Sequence, residues 1–119
     1  MGRTFLLVGS VAAFLGVAFG AFGAHGLRGR LSPEMLTVFQ TGVQYQMYHA
    51  LALILVSLLL RNSGWLVQAA GWCFVAGIVL FSGSLYLLAT TGITMLGAIT
   101  PLGGLAFLLG WAFLAFSSF

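Results

Sequence analysis

From Thr4 to Ala24 the chain reads TFLLVGSVAAFLGVAFGAFGA, twenty-one residues without a charge. As a helix this run is about 31 Å long, the thickness of a bilayer's hydrocarbon core. It exceeds the apolar stretch of a signal peptide, about 7–15 residues, so the sequence predicts a retained membrane span. The remaining residues offer no soluble alternative. Only 4% of the 119 residues are charged and 61% are hydrophobic, whereas soluble domains carry roughly 25% charge. Lipid is therefore the expected solvent.

At about 20 residues per crossing the chain holds four spans and little else. The sequence predicts a single domain over 1–119, an all-α integral membrane four-helix bundle with spans at about 4–24, 41–60, 65–90 and 95–117. Ser32-Pro33-Glu34 reads as a helix start, with Ser32 as cap, Pro33 at the first helical position and Glu34 in the positive first turn. A helix beginning there and running to Leu60 is longer than the bilayer core. Its first part, about 33–40, is expected to extend span two beyond the bilayer. Arg61-Asn62-Ser63-Gly64 and Thr91-Gly92 read as turns, and Pro101 would kink or start the last helix.

The charges are Arg3, Arg28, Arg30 and Arg61 against Glu34. Four scattered arginines are no nucleic-acid patch. Two fall on each side of a four-span chain, so the positive-inside rule does not fix the orientation. The expected location is the cytoplasmic (inner) membrane of a cell, with the lipid bilayer as the first partner. One cysteine, Cys73, excludes an intrachain disulfide and a cysteine-based zinc site. Two histidines and one carboxylate at this spacing match no compact metal pattern, and a Ser-His-acid triad would need Glu34 some four turns from His49. No catalytic residue, metal or cofactor is expected.

Small residues suggest where helices meet. Gly16 and Gly20 form a GxxxG in span one, and Gly103-Gly104 lies early in span four; such positions let backbones approach closely. The eleven phenylalanines read most simply as lipid-facing bulk.

The most informative stretch is TGVQYQMYHALAL, residues 41–53. At 100° per residue, Glu34, Thr37, Thr41, Gln44, Tyr45, Tyr48 and His49 fall within an arc of roughly 140°. Gln46 points almost the opposite way. An unsatisfied polar group in hydrocarbon costs several kcal/mol. The stripe is therefore expected to turn inward, into a polar cluster. Its candidate members are His25, Gln44, Tyr45, Tyr48, His49, Ser84 and Thr100, with Ser82 and Tyr86 as further possible partners. Ionisable groups inside membranes are functional candidates, but polar side chains also simply tie helices together.

Four ordered blocks carry a resemblance: FGAHGL (Phe22–Leu27), TGVQYQMYHALAL (Thr41–Leu53), GIVLFSGSLY (Gly77–Tyr86) and ITPLGG (Ile99–Gly104). Together they resemble the YgdD/YwdK-like small integral membrane proteins, grouped as domain of unknown function 423. The resemblance covers essentially the whole chain. It implies a multi-pass helical protein of the bacterial cytoplasmic membrane and transfers no activity. The residues then suggest a non-enzymatic protein that packs against itself, as a homo-oligomer, or against a membrane-protein partner. The alternatives are a small-solute transporter or channel gated by His49, and a membrane-embedded binder of lipid or quinone.

Overall fold

Four helices make up the computed structural model, which describes residues 2–60 and 64–119. They are α1 (Gly2–Leu27), α2 (Pro33–Leu59), α3 (Trp65–Thr91) and α4 (Thr94–Phe116), each long and apolar enough to cross a membrane. The turn expected at 61–63 lies outside the described residues.

The helix ends follow from local chemistry. Ser32 holds an extended backbone, and its hydroxyl oxygen accepts the Met35 N–H at 3.1 Å. Pro33 follows in the first turn, where its missing donor costs nothing. α3 closes at Gly92, whose φ of 73° is the left-handed conformation glycine adopts freely. α4 opens with a tight 3-10 turn over Thr94–Ala98 and becomes α-helical at Thr100. Pro101 thus sits in a first turn and starts the helix; it kinks nothing. Two π-helical turns, Phe19–Gly23 in α1 and Ile78–Ser82 in α3, each insert a wide turn into an apolar helix.

α1 packs along α2, α3 packs along α4, and α2 is the helix that also reaches α3. What joins them is aromatic rings seated on glycines. Phe5 of α1 lies over Gly71 of α3, and Tyr86 of α3 lies over Gly42 of α2. Between α3 and α4 the pattern is reciprocal. The Phe74 ring lies on Gly110 and the Phe107 ring lies back on Gly77, while Gly103 sits against the Phe81 backbone. A Cβ at any of these glycines would collide with the ring or backbone above it.

Phenylalanine is therefore not mainly lipid-facing bulk. Phe14, Phe22 and Phe116 do face outward, but Phe5, Phe39, Phe74 and Phe107 are core residues. Glycine removes the Cβ that would keep a ring away from a neighbouring backbone, so the two residue types are used as a pair. Of the four glycines expected at packing surfaces, Gly16 faces Met47, Gly20 faces Val43 and Gly103 faces the Phe81 backbone. Gly104 makes only an ordinary van der Waals approach to Phe81.

Candidate functional site

The polar residues of α2 divide into two groups on different sides of the helix. Gln46 lies in the interior, 4% exposed. Its side-chain amide donates to the Ala12 carbonyl of α1 at 2.7 Å, and its oxygen accepts the Tyr86 hydroxyl of α3 at 2.6 Å. One turn away, the Ser82 hydroxyl donates to the Gly42 carbonyl at 2.6 Å, from the π turn of α3. Three helices are thereby tied through two residues of α2. The residue set aside as the exception to the stripe is the one that spans the interior.

The stripe itself faces mostly outward. Gln44, Tyr45 and Tyr48 are exposed on the chain. The Gln44 amide donates to the Tyr48 hydroxyl at 2.5 Å within the same helix. Thr37 and Thr41 satisfy their hydroxyls on the carbonyls four residues back. The expectation that this ridge turns inward holds for His49, at the edge of its arc, and fails for Gln44 and Tyr48. The physical reason is that the buried face of α2 carries Gly42, Ala50 and Ala52, whose small size lets other helices come close. Polarity did not choose the inner face, where these small residues stand beside Phe39, Leu53 and Val56.

His49 is buried between α2, α3 and α4. Its Nδ1 lies 2.8 Å from the Tyr45 carbonyl, and the Trp111 indole N–H donates to its Nε2 at 3.0 Å. A carbonyl only accepts and an indole N–H only donates. These partners select the neutral imidazole with its hydrogen on Nδ1. The ring stacks on Phe107 with centroids 3.5 Å apart and planes 6° apart, and Phe74 and Trp111 flank it. Beside it opens a lateral groove of about 690 Å³ between α2 and α4, lined by Tyr45, Tyr48, His49, Phe81, Leu108 and Trp111 among others. This is an apolar aromatic trough that faces sideways.

The other candidates lie elsewhere. Ser84 and Thr100 share a hydrogen bond at 2.6 Å that joins α3 to the start of α4, and Ser84 also donates to Phe81 O. His25 is exposed at the loop end and lines a separate small cleft with Arg28 and Gln40. The structure does not bring His25 to His49. Among the described residues no three His, Cys, Asp or Glu side chains gather as a metal site would need.

The protein family described as Protein of unknown function (DUF423) matches residues 19–104. The membrane protein YwdK of Bacillus subtilis, of the group UPF0382, is 53% identical over 92% of this chain and 90% of its own length. The Staphylococcus haemolyticus membrane protein SH2409 is 47% identical over 98% and 96%, and the Staphylococcus aureus membrane protein SAB0533 is 44% identical over the same shares. The chain belongs to the DUF423 family. It is a multi-pass bacterial membrane protein. No solved structure matches it. The DUF423 segment contains Gln46, His49, Ser82 and Tyr86, but it ends before Trp111 and begins after Ala12. The Gln46 site therefore draws Ala12, and the His49 site draws Phe107 and Trp111, from outside the segment that defines DUF423.

Gln46, Phe107 and Trp111 were not singled out from the sequence as site residues. For Gln46 a signal was available: it repeats at four-residue intervals with Gly42 and Ala50, the small-residue face of the helix. For Trp111 there was none, since a tryptophan late in an apolar run also fits a membrane interface.

Proposed function

We propose that this chain is a non-catalytic membrane protein that works by helix packing within the bilayer, presenting one outer face of α2 to a partner. The observation that carries this reading is the division of polar groups. Among the described residues no buried side-chain nitrogen or oxygen lacks a hydrogen-bond partner. The interior is thus occupied with holding itself together, through Gln46, Ser82 and Tyr86. His49 has both nitrogens engaged and its ring stacked, so it is held as a structural group. Among the polar atoms left to meet something else, those of Gln44, Tyr45 and Tyr48 lie together on the outside of α2.

Proteoliposomes loaded with a pH-sensitive dye test this reading against transport. Wild-type protein is expected to leave proton and small-solute leakage at the level of empty vesicles. A flux that His49→Leu abolishes would replace the packing reading with a gated pathway.

The lateral groove supports a second reading, the binding of a planar apolar molecule such as a quinone ring against Tyr45, Phe81 and Trp111. Quenching of Trp111 fluorescence by a short-chain quinone, lost in Trp111→Phe, is its expected signature. Quenching that is equal in both proteins would count against it.

A further inference from the structure

One exposed row of α2 has the 3-4 spacing that Leu7, Val11 and Phe14 of α1 and Leu102, Leu105 and Leu109 of α4 share, but it alone of these rows carries a polar pair. Gln44, Tyr48, Leu51, Leu55 and Leu58 recur at intervals of four and three residues. That is the heptad spacing of a two-helix seam. All five are exposed; Tyr48 is 51%, Leu51 58%, Leu55 44% and Leu58 63% accessible. The same rows continue towards the loop through Thr41, Thr37 and Glu34. A strict 3.5-residue repeat drifts around a straight α-helix by about 20° per heptad, and a partner helix follows it by supercoiling left-handedly.

The upper part of the seam is stranded as the single chain stands. Tyr48 lies eleven residues before the end of α2, about 16 Å into the membrane from that end. Its hydroxyl accepts from Gln44, which leaves its own O–H and the Gln44 carbonyl oxygen without a protein partner among the described residues. A free donor and a free acceptor at that depth face hydrocarbon, where each costs far more than at a wet surface. Covering them requires a surface that offers both an acceptor and a donor at the same height.

A second copy of α2 supplies that surface. We infer that the protein forms a parallel two-fold dimer through the α2 seam, with Gln44 and Tyr48 of each copy hydrogen-bonded across the axis and Leu51, Leu55 and Leu58 layered below. This rests on the packing reading above and names its partner. Parallel pairing sets like against like, polar layer on polar layer and leucine on leucine. Antiparallel pairing centred on the same polar residues would place Leu55 and Leu58 opposite Thr37 and Glu34, and so bury charge against apolar side chains. An amide and a phenol each donate and accept, so the patch is complementary to itself, as an isologous contact demands. The five side chains present on the order of 500 Å² per copy, so the pair buries about the 1,000 Å² that marks the lower bound of a specific interface. In lipid, packing and interhelical hydrogen bonds supply the remainder.

Cysteine cross-linking in native membranes tests the dimer, in a Cys73→Ala background. Leu51→Cys and Leu58→Cys are expected to give disulfide-linked dimers on mild oxidation. Leu7→Cys and Leu108→Cys, exposed on α1 and α4, are expected to stay monomeric. Equal cross-linking at all four positions, or none on the seam, overturns the proposal. Adding Gln44→Leu and Tyr48→Phe should lower the Leu51→Cys yield about threefold to tenfold, the worth of one or two interhelical hydrogen bonds. An unchanged yield overturns the role of the polar pair. A photoreactive residue at Tyr48 separates the two levels of the argument. An adduct of twice the chain mass supports the dimer. An adduct with a different protein overturns self-pairing and leaves the packing reading standing, whereas adducts with lipid alone overturn both.

Discussion

Gln44 and Gln46 are the same residue two positions apart on one helix, and they stand in opposite surroundings. Gln46 reaches Ala12 of α1 and Tyr86 of α3 and is buried. Gln44 reaches only Tyr48 of its own helix and is exposed. Two residues rotate a helix by 200°, enough to exchange the inside of a bundle for the outside. The comparison teaches that a polar side chain in a membrane helix carries no fixed address. The neighbouring small residues decide which side of the helix meets other helices, and the polar groups take whatever role that side leaves them.

The largest effect that would break this contrast belongs to the inner face. Gly42→Leu would drive a side chain into the ring of Tyr86, since even a Cβ there would stand 2.8 Å from it. Tyr86 would have to leave both its seat and Gln46. The expected loss is about 3 kcal/mol or more, from overpacking together with a broken buried bond. Thermal unfolding in mild detergent reads it as a sharply lowered Tm. A stable Gly42→Leu protein would mean that this face is loosely packed.

Gln46→Leu comes next, at about 2–3 kcal/mol. It removes two hydrogen bonds and strands the Tyr86 hydroxyl in a dry place, while the Ala12 carbonyl keeps its bond within α1. Removing the stranded hydroxyl should recover part of the loss, so Tyr86→Phe added to Gln46→Leu is expected to cost less than the two single changes summed. Strict additivity, measured by the same unfolding assay, would show that the two side chains do not act as a pair.

His49→Leu is smaller, about 1–2 kcal/mol. Trp111 loses its acceptor and Phe107 its stacked ring, but the side chain that remains is apolar and fits an aromatic pocket. Trp111 emission should shift as its N–H loses its bond. An unmoved spectrum would contradict the 3.0 Å contact.

The smallest effect is Gln44→Leu. In detergent, at concentrations where the protein is monomeric, stability should change by less than about 0.5 kcal/mol, as for surface substitutions elsewhere. A loss as large as that of Gln46→Leu would place the two glutamines in equivalent surroundings and end the comparison.

The four spans were legible because each is an apolar run longer than any loop between them, and hydropathy alone separates them. The start of α2 was legible for a different reason. Ser32, Pro33 and Glu34 are each suited to one position of a helix N-terminus, so three independent preferences agree. The facing of α2 was not legible from polarity. In water, polar means outward; in lipid that contrast disappears, because acyl tails and leucine side chains are alike as surroundings. Gln44 and Tyr48 of the stripe were therefore assigned to the wrong side. His49 was read correctly as buried, but its partners Phe107 and Trp111 lie almost sixty residues or more away in sequence, and nothing local announces a contact of that range. The glycines held more of the answer than the GxxxG pair suggested. Gly42, Gly71, Gly77 and Gly110 each receive a ring from another helix, and only the receiving helix's backbone geometry shows which glycine takes which phenylalanine.

The reciprocal seating of rings between α3 and α4 has a mechanical consequence. Phe74, Gly77 and Phe81 meet Gly110, Phe107 and Gly103 in one register, with knobs pointing both ways across the interface. Sliding either helix along the other would lift the Phe74 and Phe107 rings out of their sockets together. The seated rings thus oppose sliding within the α3–α4 hairpin in both directions.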